Sequence, residues 1–569
     1  MRLADVLAGV EARPTDVRSG QPQGTGLPAA QGGPTVQDVA DLEIRAVTAD
    51  SRQVQPGTLF VAVRGTHLDG NQFLAAAAQA GAAAALTDLP ERTGWLEVNG
   101  HRCPVLPVAD ARRALAWAAA NFYGRPAQHL QVVGVTGTLG KTSVSHLLFA
   151  ILAQAGVEWR PGLIGSLGIR WADVYRPSPL TTPDALTLQK TLDEMVRAKV
   201  RVPILEVSSH AQLQQRVEGI SFAAAALLCL VPGEHADIHP DFAHYVQVKA
   251  KILAELQQGA PFVYNLGDPR VARLLRSSAR SGVLGDLRHP EQWPYVPVGY
   301  QGLDAISLVA NPWLTPEAKS AGAAGKSAEW DGLLTAHGLV QLREPELTQN
   351  GSRFRIVSAA PLWTVNRNWR DPVDFVCSLP LLGLHNVANA MAAVATALTL
   401  GVSPEAIQAG LAQAKPFRRR MEVIHRGEFT VIDDTTGHPA SFAALFHVVR
   451  LWHPRRVLLL TSVRGQRGVA INRANALAVA QGVATLPVAH LVVTAAYDCP
   501  SPQHHPTPEE TAAFIDTLRG QSVKYEFAPD LVGALRRLLD RVRPGDLVLL
   551  AGTQNLDQAA PLLQQLIQA

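Results

Sequence analysis

Charged residues are scarce in this 569-residue chain, since Asp, Glu, Lys and Arg make up only 17% of it and the formal net charge is +3. A nucleic-acid-binding domain concentrates basic residues on one face, so the composition excludes nucleic acid as an expected partner. Cysteine is also rare. The four cysteines lie far apart and form no Cys-x-x-Cys pair, which disfavours both a disulfide framework and a structural zinc site.

Long hydrophobic runs are missing as well. The densest, residues 222–231, has about half the length that a bilayer-spanning helix requires. The first residues include Asp5 and Glu11 and lack the apolar stretch of a signal peptide. The sequence therefore predicts a cytoplasmic protein with no membrane span, and we expect a monomer.

A glycine-rich loop is the most informative feature that the sequence does contain. Residues 134–143 read Gly-Val-Thr-Gly-Thr-Leu-Gly-Lys-Thr-Ser and stand between an apolar run and a helix-like segment. Backbone N–H groups of such a loop, with the N-terminus of the next helix, bind phosphate. Lys141 supplies charge, and the Thr142 hydroxyl can ligate Mg²⁺. Val135 occupies the position of the first glycine of the strict motif. The alternative is a structural turn, but Gly-Lys-Thr-Ser favours a nucleoside triphosphate site formed by Gly137, Thr138, Gly140, Lys141, Thr142 and Ser143.

Alternating strand-like and helix-like segments predict an α/β protein built from three units. We place the units at residues 1–125, 126–415 and 416–569, with the glycine loop near the start of the second. The alternation is typical of a parallel sheet covered by helices. Two stretches poor in large apolar residues interrupt it. Residues 14–40 are predicted to be a flexible insertion, and residues 316–327 a surface excursion.

Further motifs accompany the loop in the first two units. They are residues 49–52 (Ala-Asp-Ser-Arg), 181–184 (Thr-Thr-Pro-Asp), 206–210 (Glu-Val-Ser-Ser-His), 235–239 (His-Ala-Asp-Ile-His) and 245–249 (Tyr-Val-Gln-Val-Lys). Together with the glycine loop they resemble the Mur ligases, most closely the members that add the third amino acid of the peptidoglycan stem peptide. The resemblance implies a three-domain architecture with a central P-loop, parallel-sheet ATPase domain and a Rossmann-like C-terminal domain.

The resemblance also implies a reaction. Such a ligase uses ATP to convert a carboxylate of a UDP-N-acetylmuramoyl peptide to an acyl phosphate, which the amine of an amino acid then attacks. Both reactants of the first step are anionic, so cationic groups and Mg²⁺ must spread the charge of the transferring phosphoryl group. By resemblance, the catalytic residues are Lys141, Glu206, His235 and Lys249, and the Mg²⁺ ligands are Thr142, Glu206, His235 and Lys249.

Three of these assignments have alternatives in the sequence. Glu206 ends a buried-type strand, where it could ligate Mg²⁺ or cap the helix that follows. His235 and His239 have the i, i+4 spacing of a helical zinc site, but Pro240 disfavours a helix there, so only His235 is assigned to metal. A lysine is ordinarily cationic, and Lys249 could ligate metal only after carbamylation by CO₂; otherwise it would be a surface lysine.

The resemblance places the remaining contacts in all three units. For ATP they are Asn386, Arg420 and Asp434, although Asn386 could simply cap a helix. Arg420 and Asp434 can reach the nucleotide only if the third unit closes over the second at a hinge near residue 415. The substrate contacts are Ser51, Arg52, Thr181, Thr182, Ser208, Gln214, Arg216 and Arg467.

Several positions depart from the family pattern. Leu139 replaces an asparagine of the phosphate loop, and two adjacent arginines leave the identity of the family's phosphate-binding arginine open. Residues 494–501 lack the Asp-Asn-Pro-Arg motif of diaminopimelate-adding members, and Leu556 replaces a glutamate. We therefore expect a different acceptor amino acid. The alternatives are a divergent paralogue that binds ATP or the nucleotide precursor with weak or no ligase activity, and a folate-polyglutamylating ligase, which the muramoyl-type motifs disfavour.

Overall fold

The computed structural model describes residues 1–11, 34–65, 68–232, 238–278, 295–301, 338–348, 350–416 and 418–568. The predicted excursion at 316–327, the first part of the predicted insertion and His235 lie outside these ranges. The predicted α/β class is confirmed, because three mostly parallel sheets are each covered by helices. No described helix is long and apolar enough to cross a membrane.

The first sheet has five strands, four of them parallel. In spatial order they are Ala46–Thr48, Thr58–Ala62, Ala84–Thr87, His101–Pro107 and the antiparallel edge strand Gly94–Val98. The helices are Leu3–Val6, Leu74–Gln79 and Ala111–Phe122. The short helix Gln37–Val39 buries Val39 in the same core. Within the predicted insertion, Val39 is therefore packed while Gln37 and Asp38 are exposed; the flexibility of the insertion stays a prediction.

The central sheet has eleven strands. In spatial order they are Val373–Leu379, Gly351–Ser358, Leu339–Thr348, Tyr295–Gln301, Ala260–Asn265, Ala224–Leu227, Val133–Thr136, Val202–Glu206, Pro161–Gly165, Gly168–Trp171 and Val174–Arg176. The seven from Leu339–Thr348 to Pro161–Gly165 run parallel, and the two at each edge add antiparallel.

Helices cover both faces of the central sheet because its strands are apolar on both sides. Lys141–Gln154 and Leu384–Leu400 pack on one face, against Ile204 among others, while Ala185–Arg197 and Phe242–Ala250 pack on the other, against Leu205. The other α-helices in the described part of this unit are Ser209–Leu213, Pro269–Ser278 and Pro404–Ala412, and a small hairpin pairs Leu362–Trp363 with Trp369–Arg370.

The third sheet has six strands. In spatial order they are Glu422–Arg426, Thr430–Asp434, Leu547–Ala551, Val457–Ser462, Val488–Thr494 and Glu526–Ala528, and only the first pair is antiparallel. Its helices are Pro439–Leu451, Val469–Thr485, Pro508–Gly520, Leu531–Leu539 and Ala559–Gln568. Neighbouring residues Val431 and Ile432 enter separate cores on opposite faces, as the period of two requires. Helices cover both faces of this sheet, which fits the Rossmann-like C-terminal domain that the resemblance implies.

Candidate active site

The glycine loop joins the central strand Val133–Thr136 to the helix Lys141–Gln154. Two of its three glycines adopt backbone angles that other residues rarely take, with φ of 145° at Gly137 and 87° at Gly140. A Cβ on Gly140 would stand 2.5 Å from Asn389 Oδ1. The left-handed turn therefore favours glycine at position 140, and a larger residue would also displace the Asn389 side chain of the helix Leu384–Leu400.

Contacts from the neighbouring strand hold the loop in place. Thr138 N donates to the Cys229 carbonyl over 2.8 Å, and Thr138 Oγ1 lies 2.8 Å from the Tyr245 hydroxyl and accepts from Val231 N. Lys141 Nζ donates to the carbonyls of Gly137 (2.8 Å) and Thr138 (3.1 Å). The ammonium group is thus positioned within the loop that would hold phosphate.

Glu206 lies beside the loop, fully buried at the end of strand Val202–Glu206. Its carboxylate accepts hydrogen bonds from the hydroxyls of Thr142 (3.0 Å), Ser166 (3.0 Å) and Ser145 (3.2 Å). Burial raises the pKa of Glu206, and the Lys141 charge opposes this. The helix-cap interpretation of Glu206 is wrong, because Ser208 Oγ caps helix Ser209–Leu213 by accepting from Ala211 N.

The position of the Glu206 carboxylate depends on Gly165. A Cβ at this glycine would stand 2.1 Å from Glu206 Oε1. We expect Gly165→Ala to displace the carboxylate and to lower the free energy of unfolding by about 1–3 kcal/mol, as overpacking does, and to reduce any ATP-dependent turnover. Urea unfolding and an ADP-release assay measure the two effects. Gly520→Ala is the control, because a Cβ there meets no atom within 4 Å; equal behaviour of the two variants would contradict the prediction.

Lys249 lies on the other side of the loop, and its side chain is buried. Its Nζ donates to the Gly137 carbonyl over 2.9 Å and lies 3.4 Å from Thr136 Oγ1. Burial lowers the pKa of Lys249 well below its usual range, and the Lys141 charge lowers it further. The surface-lysine interpretation is therefore wrong for Lys249, whereas it fits the exposed Lys251.

His239 is buried, with its Nδ1 3.0 Å from Nδ1 of His244 and its ring against Tyr245. Within the described ranges, no group of three or more His, Cys, Asp and Glu side chains could hold a metal ion. The oxygen donors that could hold Mg²⁺ are Thr142 and Glu206, and they suit a hard cation.

The predicted muramoyl-substrate contacts of the central unit are brought together next to Glu206. Thr182 Oγ1 donates to the Glu206 carbonyl (2.7 Å) and accepts from Ser208 N (3.1 Å). Arg216 donates to the Thr182 carbonyl over 2.7 Å and to Gln214 Oε1 over 2.7 Å. Thr181 Oγ1 lies 3.0 Å from Ser166 Oγ. One hydrogen-bonded group therefore links these residues to the buried carboxylate.

A cavity of about 420 Å³ opens over the loop, between the central and third sheets. Arg420 and Asp434 line it from the third unit. Burial raises the pKa of Asp434 to about 6, which the Arg420 charge opposes. Its lining from the central unit includes Thr138, Leu139, Gly140, Lys141, Thr142, Ser143, Ser166, Thr181, Cys229, Asn265, Tyr300, His385 and Asn389. The third unit thus contributes to the wall that faces the phosphate loop.

Asn386, predicted to contact ATP, does not line this cavity. Its side chain is buried and donates to the Leu382 carbonyl over 2.8 Å. Asn389, three residues further along the same helix, lines the cavity instead. Sequence reasoning missed Asn389, His385 and Ser166; the i, i+3 spacing of the two asparagines is the signal that could have suggested Asn389.

Burial distinguishes the roles of the three adjacent arginines, Arg418, Arg419 and Arg420. Arg419 is 4% exposed and pairs with Asp433 over 3.2 Å and with Asp557. It also donates to two backbone carbonyls. Its φ of 54° lies in the left-handed region, which residues other than glycine rarely adopt. Arg419 therefore anchors the third unit, and Arg420 is the arginine that faces the cavity.

The predicted acceptor residue Arg467 is exposed, on a loop held by the buried Glu510. That carboxylate accepts from the backbone N–H groups of Gln466, Arg467 and Gly468. Two residues at positions of the family's acceptor motifs have structural roles in this chain. Asp498 accepts from two N–H groups of helix Leu531–Leu539, and Leu556 lies in the core.

Ser51 and Arg52, the predicted contacts of the first unit, lie apart from the cavity on the short helix Ser51–Gln53. Arg52 is exposed and pairs with Asp50 over 2.8 Å. The role of Ser51 and Arg52 as substrate contacts stays a prediction.

A phosphate-binding loop with its lysine and a buried carboxylate, on a parallel sheet that a second α/β unit covers, defines a P-loop nucleotide-using protein. Family models assign the chain more closely: "Mur ligase family, catalytic domain" matches residues 43–123, "Mur ligase middle domain" residues 135–284, and "Mur ligase, glutamate ligase domain" residues 419–554. The chain belongs to the Mur ligase family, whose members are ATP-dependent amide ligases. The predicted resemblance is confirmed.

Individual relatives agree with the family models. The UDP-N-acetylmuramyl-tripeptide synthetase of Deinococcus radiodurans is 30% identical over 558 residues, covering 97% of this chain and 94% of that protein. A UDP-N-acetylmuramoyl-L-alanyl-D-glutamate–2,6-diaminopimelate ligase of Alkalilimnicola ehrlichii is 31% identical, covering 90% and 91%.

Solved structures support the fold. MurF of Acinetobacter baumannii superposes with a TM-score of 0.60 at 20% identity, covering 94% of this chain and 96% of that one. MurF ligase of Thermotoga maritima, solved in complex with ADP, gives a TM-score of 0.56 at 17% identity, covering 93% and 98%. The predicted three-domain architecture is confirmed.

Proposed function

We propose that this protein uses ATP to join an amino acid to a UDP-N-acetylmuramoyl peptide through an acyl phosphate. One observation carries the proposal: Glu206 bonds the phosphate-loop residue Thr142 through its carboxylate and the substrate-motif residue Thr182 through its backbone. The phosphoryl donor and the carboxylate to be activated would therefore meet at one point.

Each residue at this point has a role in the first step. Lys141 would offset the charge of the transferring phosphoryl group, and the loop N–H groups would bind its oxygens. Thr142, Glu206, His235 and a carbamylated Lys249 would hold Mg²⁺, which supplies further positive charge there when bound. Thr181, Thr182, Ser208, Gln214 and Arg216 would orient the muramoyl peptide. Holding the two anionic reactants in the right orientation would lower the barrier of this step relative to the reaction in water.

The third unit would complete the ATP site. Arg420 and Asp434 line the cavity opposite the loop, where a cation can bind phosphate and a carboxylate can accept from ribose hydroxyls. Closure at a hinge near residue 415 would exclude water from the acyl phosphate. Leu139 lacks the amide of the family's asparagine, but its backbone stays in the loop, with its N–H donating to Cys229 Sγ. The backbone of the loop is thus held in place at the substituted position, which supports ATP binding despite the missing amide.

We propose further that Lys249 is carbamylated. Carbamate forms when a neutral amine attacks CO₂, and the lowered pKa of Lys249 provides that neutral amine. Carbamate occupancy should be retained above this lowered pKa and lost as the pH falls through it. ¹³C NMR in ¹³C-bicarbonate should show a carbamate signal in the wild type that Lys251→Arg keeps and Lys249→Arg lacks. A wild-type spectrum without that signal would contradict the proposal.

The acceptor is proposed to differ from diaminopimelate. Two residues at the positions of the family's acceptor motifs have structural roles instead. Asp498 accepts a hydrogen bond at the N-terminus of helix Leu531–Leu539, and Leu556 packs in the core. Arg467 would pair with the carboxylate of the incoming amino acid.

ADP release tests the proposed function. Purified protein is incubated with ATP, Mg²⁺, UDP-N-acetylmuramoyl dipeptide and each of a panel of amino acids, and one component is omitted at a time. We expect ADP release that requires both the dipeptide substrate and one amino acid. Release with folate substrates instead, or binding of the dipeptide substrate without release for any amino acid, would overturn the proposal.

A further inference from the structure

A hydrogen bond joins the first unit to residues 214–216 of the central unit, which we call the substrate loop because Gln214 and Arg216 are proposed substrate contacts. Asp110 caps helix Ala111–Phe122, because its Oδ1 accepts from the backbone N–H groups of Arg112 (2.8 Å) and Arg113 (3.0 Å). Its other oxygen, Oδ2, accepts from the side-chain amide of Gln215 over 2.8 Å. Gln215 stands between Gln214 and Arg216, two of the proposed substrate contacts.

The backbone conformation that Gln215 adopts to make this contact is unfavourable for a residue other than glycine. Its φ of 55° lies in the left-handed region, where glycine is favoured and most side chains are disfavoured. A glutamine at this turn is therefore unfavourable locally, and its side chain gains the bond to a carboxylate. A hydrogen bond to a charged group is among the stronger kinds.

A second contact reinforces the junction. Arg113 of the same helix lies 2.7 Å from Glu11 and 3.5 Å from Glu218, which follows the substrate loop. The first unit therefore holds both ends of the segment 215–218. Because the Arg216 side chain donates to the Thr182 carbonyl and the Thr182 hydroxyl donates to the Glu206 backbone carbonyl, two hydrogen bonds connect the held segment to the backbone of Glu206.

We propose that Gln215 and Asp110 are positioning residues: the first unit, through this hydrogen bond, sets the place of Gln214 and Arg216 for the muramoyl substrate. The inference rests on the proposed function. Neither residue touches the substrate; the bond acts by keeping the Arg216 guanidinium in register with Thr182. Its loss weakens substrate binding and leaves the phosphate loop unchanged.

Gln215→Glu and Asp110→Asn test the bond as a pair. Gln215→Glu places two carboxylates face to face and should raise the KM for UDP-N-acetylmuramoyl dipeptide about tenfold, with the KM for ATP unchanged. Asp110→Asn keeps the helix cap and should be nearly neutral, because the Gln215 amide can turn to accept from it. The double variant restores donor and acceptor and should return the KM to within about twofold of wild type.

The Gln215→Gly variant distinguishes the effect of the side-chain hydrogen bond from that of the backbone conformation. Glycine accepts the left-handed φ, so the turn is kept and only the bond is lost, and the KM for the dipeptide substrate should rise as in Gln215→Glu. Calorimetric binding of the same substrate gives the affinity without turnover. An active wild type whose KM and affinity are unchanged in Gln215→Glu and Gln215→Gly, or no rescue in the double variant, would overturn this inference alone. A wild type that neither binds nor converts the substrate would overturn the proposed function and this inference with it.

Discussion

Lys141→Ala is expected to reduce ATP-dependent turnover at least about 100-fold, and up to about 1,000-fold, the range measured when one preorganised charge-stabilising donor is removed. Lys141 Nζ donates to the loop carbonyls of Gly137 and Thr138. Its charge also acts on Glu206, whose carboxylate accepts a hydrogen bond from the Thr142 hydroxyl. Alanine leaves the backbone of the loop intact but removes the cation that would offset phosphoryl charge. The measurement is ADP release at saturating ATP, with the far-UV circular dichroism spectrum as a check of folding.

A second lysine of the central unit provides the control. Lys190 is exposed on helix Ala185–Arg197, outside the residues that line the cavity, and Lys190→Ala should keep wild-type turnover. If Lys141→Ala retained more than about a tenth of the activity, the assigned role of the loop lysine in transition-state stabilisation would be wrong.

Glu206→Gln is expected to separate activity from stability. The raised pKa of Glu206 means that burial disfavours its ionised form. The ionised carboxylate therefore costs stability at pH values above its folded-state pKa, and the cost disappears as the pH falls through that value. A neutral glutamine removes the cost, so the free energy of unfolding without Mg²⁺ should stay the same or increase.

Turnover should move in the other direction. An amide is a poorer ligand for a hard cation than a carboxylate, and we expect Glu206→Gln to lower ADP release by about 100-fold or more. Urea unfolding at pH 7.5 and at pH 5, with the assay at pH 7.5, gives both readouts. Glu255→Gln is a matched control: burial also raises the pKa of Glu255, to about 8, yet this residue lies outside the candidate site. A strongly destabilised, fully active Glu206→Gln would contradict both expectations.

Residues close in sequence were predicted best. The glycine loop and its following helix are local, so their spacing alone indicates a phosphate site, and the structure adds why glycine is needed at position 140. Glu206 and Lys249 are far from the loop in sequence, and only the family resemblance associated them with it. The structure then places both beside the loop, each too buried for its ordinary surface or capping alternative.

Residues whose partners come from distant parts of the chain could not be predicted from the sequence. Arg419 is one of three adjacent arginines, and its selection for the buried ion pair depends on Asp433 and Asp557. Asn389 rather than Asn386 lines the cavity because of the helix rotation against the sheet. The Gln215–Asp110 bond spans 105 residues of sequence, and no motif marks either end. Tertiary packing decides these cases.

The central claim is that an amide bond is formed, and mass spectrometry of the product tests it most directly. After incubation of the wild-type protein with ATP, Mg²⁺, UDP-N-acetylmuramoyl dipeptide and the amino-acid panel, we predict one new species, heavier than the dipeptide substrate by one amino-acid residue. It should be absent when ATP is omitted and in Lys141→Ala. ADP release without any such species, or no product with any amino acid from a protein that binds the dipeptide substrate, would contradict the account.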